Sequence, residues 1–229
     1  MSPLDSPALR AKQAGKRGGG QSATQAETRD GMRADLQLIA EMIEPGSRVL
    51  DVGCGDGQLL HHLVADKQVT GRGLELSQDG VNAMVSNGLS VVQGDADTDL
   101  VDFPDRAFDY VVLSQTLQAT RDPRFVLEQL VRIGRHAIVS FPNFGYWRIR
   151  LRLLFGGRMP VTESLPDRWF ETQNIHLCTL LDFLELCRAC DIVVEKGLTL
   201  DKRGQAQSIT GRPRANLFAT DGLFLLRQG

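Results

Sequence analysis

The sequence predicts an α/β fold: a doubly wound, mostly parallel seven-stranded sheet with an antiparallel edge strand. Three observations predict it. Short apolar runs alternate with helical periodicity over about 110 residues on short connections, the pattern that parallel strands and their crossovers require. Phe108 to Leu113 is an apolar run interrupted only by Asp109, as expected of a central strand covered on both faces. Residues 49 to 57, Val-Leu-Asp-Val-Gly-Cys-Gly-Asp-Gly, take a short apolar strand straight into a glycine-spaced turn. Glycine lets the backbone turn sharply there and leaves room for a ligand against the peptide plane.

Taken in order, residues 1–27 are rich in Gly, Ser, Ala, Gln, Lys and Arg, with few large apolar side chains to offset their ordering entropy, and are expected to form a disordered tail. The rest, 28–229, reads as one domain. Leu36, Ile39, Ala40 and Ile43 share one helical face, and Pro45-Gly46 stops that helix. Strand one is 48–53, and Leu59, Leu60, Leu63 and Val64 are expected on the inner face of the helix beginning near Asp56. Strand two is 69–76; Ser77 is placed to cap a helix with Val81, Met84 and Val85 inward, and Gly88 to end it in the left-handed conformation. Strand three is 91–95 and strand four 108–113; Asp122-Pro123 opens a helix through Leu127, Leu130 and Ile133, and strand five is 137–141. At about 143–178 the rhythm breaks into aromatic, basic and proline residues, an insertion expected to set specificity. Thr179 and Asp182 then make a capping-box pattern before Phe183, Leu184 and Cys187, and strands near 192–194 and 223–226 close the sheet.

With 229 residues, 42% of them apolar, the chain can bury a continuous core. A net charge of -2 and a pI near 6.1 supply no general attraction to nucleic acid or anionic lipid. No apolar signal region opens the chain and no run of about 18 apolar residues could span a bilayer, so a soluble, cytoplasmic protein without stable membrane association is expected. Cys54, Cys178, Cys187 and Cys190 are then expected to be thiols.

The spacing of the glycines discriminates between nucleotide ligands. A dinucleotide fingerprint needs its third glycine where this chain has Gln58. The pattern Asp51-x-Gly53-x-Gly55-x-Gly57, with Cys54 inside it, instead resembles motif I of class I S-adenosylmethionine-dependent methyltransferases, whose fold is Rossmann-like. That resemblance implies a site for S-adenosyl-L-methionine or S-adenosyl-L-homocysteine, the turn facing the methionine portion. It assigns Glu75, followed by Leu76, to the ribose hydroxyls and Asp95 to the adenine amino group, with the Ala96 N–H near the ring. Ser114, after strand four, would complete the rim.

Within that superfamily the chain resembles the MetW family from about Arg33 to Arg227. The resemblance rests on Leu-Ser-Gln-Thr-Leu-Gln-Ala-Thr at 113–120, Ser-Phe-Pro-Asn-Phe-Gly-Tyr-Trp-Arg at 140–148, Gly-Arg-Met-Pro-Val-Thr at 157–162, and Trp169 through Asn174-Ile175-His176-Leu177. It implies a role in methionine biosynthesis beside MetX, the homoserine O-acyltransferase, as its partner or activator. The alternative is an autonomous methyltransferase acting on a small, lipophilic, quinone-like acceptor. Many small-molecule methyltransferases carry a histidine after strand four; this chain has Gln115 and Gln118.

Methyl transfer from a sulfonium mainly requires alignment of the acceptor, with a base only where the acceptor is protonated. His176, Tyr146 and Glu171 are the candidate acid–base groups, His176 being read rather as a structural hydrogen-bonding residue of its turn. His176, Cys178, Cys187 and Cys190 have ligand chemistry suited to zinc, but Cys187 and Cys190 continue the helical stripe of Leu180, Phe183 and Leu184, so no metal is expected. Residues 146–155 carry Arg148, Arg150 and Arg152 beside an apolar face at Trp147, Leu151 and Leu154, which reads as a lid or partner surface.

Overall fold

The computed structural model describes residues 31–162, 165, 167–209 and 212–229, so the predicted tail lies outside the described residues. Helix α1 (Ala34–Met42) buries Leu36, Ile39 and Ala40. Its C-terminal carbonyls need donors: Lys67 Nζ gives hydrogen bonds to the carbonyls of Ala40 (2.6 Å) and Ile43 (2.7 Å). There follow β1 (Arg48–Val52), α2 (Gln58–Lys67), β2 (Thr70–Glu75), α3 (Gln78–Ser86), β3 (Val91–Gln93), β4 (Phe108–Ser114), α4 (Pro123–Ile133) and β5 (Gly134–Pro142). The second half holds α5 (Trp147–Gly156), α6 (Leu180–Ala189), β6 (Ile192–Leu200), β7 (Ala206–Ser208), α7 (Arg212–Phe218) and β8 (Asp221–Gln228).

The local stop and start signals act where the sequence placed them. Ser77 accepts from the Gly80 N–H and Asp122 from the Phe125 N–H, while Thr179 and Asp182 form a reciprocal capping box. Gly88 has φ +72°, the conformation that ends α3. Two inward assignments are corrected: Val64 is 41% and Val85 61% exposed. Each lies one residue, about 100° of helical rotation, beyond a fully buried neighbour, Leu63 or Met84, and so turns off the narrow stripe that meets the sheet.

The sheet order is β3-β2-β1-β4-β5-β8-β6-β7, with β3 to β5 parallel and β8 antiparallel to both β5 and β6. Two details add to the expectation. The antiparallel β8 is inserted between β5 and β6, two strands inside the edge, and a short eighth strand, β7, pairs antiparallel with β6 to form the edge itself. Alternating side chains feed two cores: Val111, Leu113, Val139 and Phe141 meet α4 and α6, whereas Tyr110, Val112 and Ile138 share the opposite core with α1, α2 and α3. Phe141, Phe183 and Phe224 join β5, α6 and β8 at ring separations of 4.6–5.8 Å. Among the described residues no helix is long and apolar enough to cross a membrane.

Helix α5 presents part of the face read as a lid or partner surface to solvent. Tyr146 and Ile149 are buried, whereas Leu151 and Leu154 are exposed, so the helix is held at its first turn and its later turns stand in solvent.

Candidate functional site

The strand order reverses between β1 and β4, and a crevice opens at such a point beside the carboxyl ends of the strands. A cleft of about 500 Å³ lies there, its walls including Gly53, Glu75, Leu76, Asp95 and Ala96 of the predicted set. Gln115, Thr116, Arg121, Gln173 and Asn174 also line it.

The glycine turn is shaped by steric necessity. Gly53 has φ +69°, and a Cβ there would lie 2.7 Å from Thr116 Oγ1; Gly57 has φ +81°, and its Cβ would lie 2.7 Å from Leu89. Gly55 offers its N–H to Glu75 Oε2 at 2.8 Å, and the Ser77 N–H reaches Glu75 Oε1 at 2.9 Å. The Glu75 carboxylate is thereby held at the end of β2 with acceptor capacity left on both oxygens. Cys54 contributes backbone to the turn, but its thiol is buried against Met84 Sδ at 2.9 Å. Burial also pushes that thiol's pKa far up, which keeps it protonated and inert.

Asp51, at the base of the turn, is buried, and burial pushes its pKa up to about 7, with the Arg33 charge opposing and the Glu75 charge adding. Ser114 turns toward a polar network rather than the cleft: its Oγ accepts from Arg33 Nη2 (2.7 Å) and donates to Asp35 Oδ2 (3.0 Å). Arg33 also holds Asp35 through two hydrogen bonds of 3.0 and 2.8 Å. Arg33, Asp35 and Asp221 are residues that sequence reasoning passed over. Asp221 opens β8 and, because β8 runs antiparallel, pairs with Pro142 at the carboxyl end of β5. Gln115 Nε2 donates to it at 3.3 Å, and burial pushes its pKa up to about 6. Gln115 itself has φ +54°, a strained conformation for a residue with a side chain.

On the far wall, Asp95 Oδ1 accepts from the Asp97 N–H (2.9 Å) and Oδ2 from Arg121 Nη2 (2.6 Å). The Asp97 carboxylate accepts from the Arg121 N–H, and Asp99 Oδ2 accepts from the Asp95 N–H. Hydrogen bonds from Thr98 and the Asp95 backbone hold the Asp99 pKa below the usual carboxylate range.

His176, Tyr146 and Glu171 do not line the cleft. His176 is exposed, with Nε2 3.3 Å from the Arg121 carbonyl, while the Ile175 and His176 N–H groups both donate to the Gln118 carbonyl at 2.9 Å. Tyr146 is buried at the start of α5, and Glu171 is exposed beyond Phe170. Gln118 Nε2 donates to the Gln115 carbonyl, and its Oε1 is buried with no hydrogen-bond partner among the described residues. Cys187 is buried in α6, and among the described residues no three His, Cys, Asp or Glu side chains are grouped to hold a metal.

Comparison with known proteins bears on the fold and the family. The structure resembles an S-adenosylmethionine-dependent methyltransferase from Mesorhizobium loti, with a TM-score of 0.63 and 20% identity over 87% of this chain and 99% of that one. It also resembles a possible histamine N-methyltransferase from Thermotoga maritima, with a TM-score of 0.61 and 16% identity over 86% of this chain and 88% of that one. At these identities the likeness concerns the fold. In sequence, the chain is 34% identical over 195 residues to a bifunctional methionine biosynthesis protein MetXA/MetW from Rhodopirellula baltica. The match covers 81% of this chain and 31% of that relative, so the chain spans about a third of its length. The profile of the family described as methionine biosynthesis protein MetW matches residues 33–226, and the chain belongs to that family.

Proposed function

We propose that the chain binds S-adenosyl-L-methionine or S-adenosyl-L-homocysteine in the cleft beside the glycine turn and acts in methionine biosynthesis as partner or activator of a homoserine O-acyltransferase of the MetX type. The residues fit the cofactor on chemical grounds. Glu75 presents a carboxylate with spare acceptor capacity to a ribose diol. Asp95 and Ala96 border the place for adenine, where displacing Arg121 from Asp95 would free an acceptor. Asp51 and Arg33, near one another though not part of the cleft's lining, would offer opposite charges to an amino-acid moiety, Asp51 a carboxylate for its ammonium and Arg33, once released from Asp35, a guanidinium for its carboxylate. Cys54, Gly55 and Gly57 serve by shaping the turn, and Ser114 by holding Arg33.

What carries the partnership is the relative from Rhodopirellula baltica, whose name joins MetXA and MetW in one bifunctional protein. Two activities kept in one chain experience a high effective concentration of one for the other, which a stable complex of separate chains also provides. The test is direct. Purified acyltransferase is assayed with and without this chain, and complex formation is followed by sedimentation. A complex with altered acyl transfer is expected; neither a complex nor a change in rate would overturn the reading.

One observation favours the alternative, an S-adenosylmethionine-dependent methyltransferase for a small quinone-like acceptor. Bound cofactor would supply an electrophilic methyl group, and Asp221, hydrogen-bonded to Gln115 of the cleft wall, has its pKa raised into the range of a general base. Incubation with methyl-labelled cofactor and cell metabolites would then give a labelled product that Asp221→Asn loses.

A further inference from the structure

Residues 146–162 contain four arginines and no lysine, aspartate or glutamate, and 163–171 add Arg168 against Glu163, Asp167 and Glu171, so that 146–171 keeps a net charge of +2 within a chain of net charge -2. The structure buries Tyr146 and Ile149 of this segment but leaves its arginines and the apolar side chains of its later turns exposed. Leu154 is 74%, Phe155 80%, Trp169 72% and Phe170 60% exposed. Beyond the end of α5 a groove of about 680 Å³ is lined by Arg158, Met159, Val161, Arg168, Trp169 and Phe170. Its walls are braced from within: Arg168 lies 5.9 Å over the Phe170 ring, Trp169 meets Phe170 edge-on at 5.7 Å, and Arg152 donates to the Val161 carbonyl. Among the described residues, neither Arg158 nor Arg168 has a carboxylate partner within ion-pair distance.

Clustered exposed apolar area of this kind marks an interaction site. Its composition identifies the sort of partner. Arginine, tryptophan, phenylalanine and methionine are enriched at the centres of protein interfaces, where lysine is depleted. A membrane is the poorer fit, because α5 has only ten residues and a surface-bound helix needs a longer apolar face with more basic charge. A second copy docking symmetrically would bring two sets of arginines together, at an electrostatic cost.

We propose that this groove docks an acidic, apolar ridge of the acyltransferase, whose large apolar side chains enter beside Met159, Trp169 and Phe170 while its carboxylates take the forked donors of Arg158 and Arg168. The proposal rests on the partnership inferred above and adds the surface and its chemistry. Arg158→Glu and Trp169→Ala change exposed side chains, so both variants are expected to keep the fold and wild-type affinity for S-adenosylmethionine. Calorimetry with purified acyltransferase should show each weakening the complex about tenfold or more, and affinity falling as salt rises from 0.05 to 0.5 M, as for pairs that are partly screened.

The outcomes separate the two readings. A wild-type complex that both variants form equally well would overturn the groove and leave the partnership standing. No wild-type complex would overturn both. Self-association in sedimentation that Trp169→Ala abolishes, or wild-type binding to phosphatidylserine vesicles without binding to the acyltransferase, would reassign the groove and overturn the proposed occupant.

Discussion

Asp51 shows how one buried carboxylate links stability to pH and, on the proposed function, to the ligand as well. Its pKa is raised to about 7 against 3.8 for a free side chain, so between those values the native state holds a proton that the unfolded chain has lost. The stability this group contributes is therefore fully present below about pH 4 and is lost as pH rises through about 7. Asp51→Asn removes the ionisable group. The ligand-free variant should melt above wild type at pH 8, with the gap narrowing toward pH 5 in thermal scans. A cationic amino group requires the ionised carboxylate, so wild-type affinity for S-adenosylmethionine should rise from pH 6 to pH 8 while that of Asp51→Asn stays low and flat. Equal affinity in the two proteins would remove Asp51 from the site. Glu75→Ala removes both the expected ribose contact and the acceptor of the Gly55 and Ser77 N–H groups. Hydrogen bonds to a charged group contribute about 1.5–3 kcal/mol, so calorimetry should show cofactor binding weakened by roughly 10- to 100-fold.

Helix α6 illustrates what the elements contribute. Its start is local chemistry, Thr179 and Asp182 capping each other, and its packing is not, since Phe183 enters the ring cluster with Phe141 and Phe224. The two should separate in urea unfolding: Thr179→Ala is expected to cost about 1 kcal/mol, and Phe183→Ala about 3–5 kcal/mol. The same division explains what the sequence made legible. Caps at Ser77, Asp122 and Thr179 depend on residues three apart in the chain. Inward positions such as Val64 and Val85 depend on which narrow stripe of a helix meets the sheet, and α5 depends on how far beyond Ile149 the body of the domain extends. Neither quantity is written in a helical periodicity.

At the scale of the molecule, the groove and the cleft are joined by residues 168–177. Trp169 and Phe170 line the groove, Gln173 and Asn174 line the cleft, and the segment is pinned by two hydrogen bonds to the Gln118 carbonyl. The proposed ligand in the cleft and the proposed partner in the groove would therefore bear on the same short strap. Saturating S-adenosylmethionine should change the affinity for the acyltransferase, and the acyltransferase should change cofactor affinity by the same factor, because coupling between two binding events is reciprocal. Titrating each in the presence of the other measures it; a factor of one in both directions would show the strap to be passive.

The order of strands and helices, the glycine turn and the carboxylates closing β2 and β3 follow from the sequence alone, because each depends on residues close together along the chain or on a short motif. The polar network of Arg33, Asp35 and Asp221, and the part of the cleft wall that the insertion supplies, needed the tertiary structure. Arg33 precedes the first helix, Asp221 opens the last strand, and Gln173 and Asn174 sit in the insertion. An antiparallel β8, inserted beside β5, carries Asp221 to the carboxyl edge of the sheet. Strand direction and order are set by packing the whole chain into one sheet, and no local pattern around residue 221 encodes which end of that sheet it will reach.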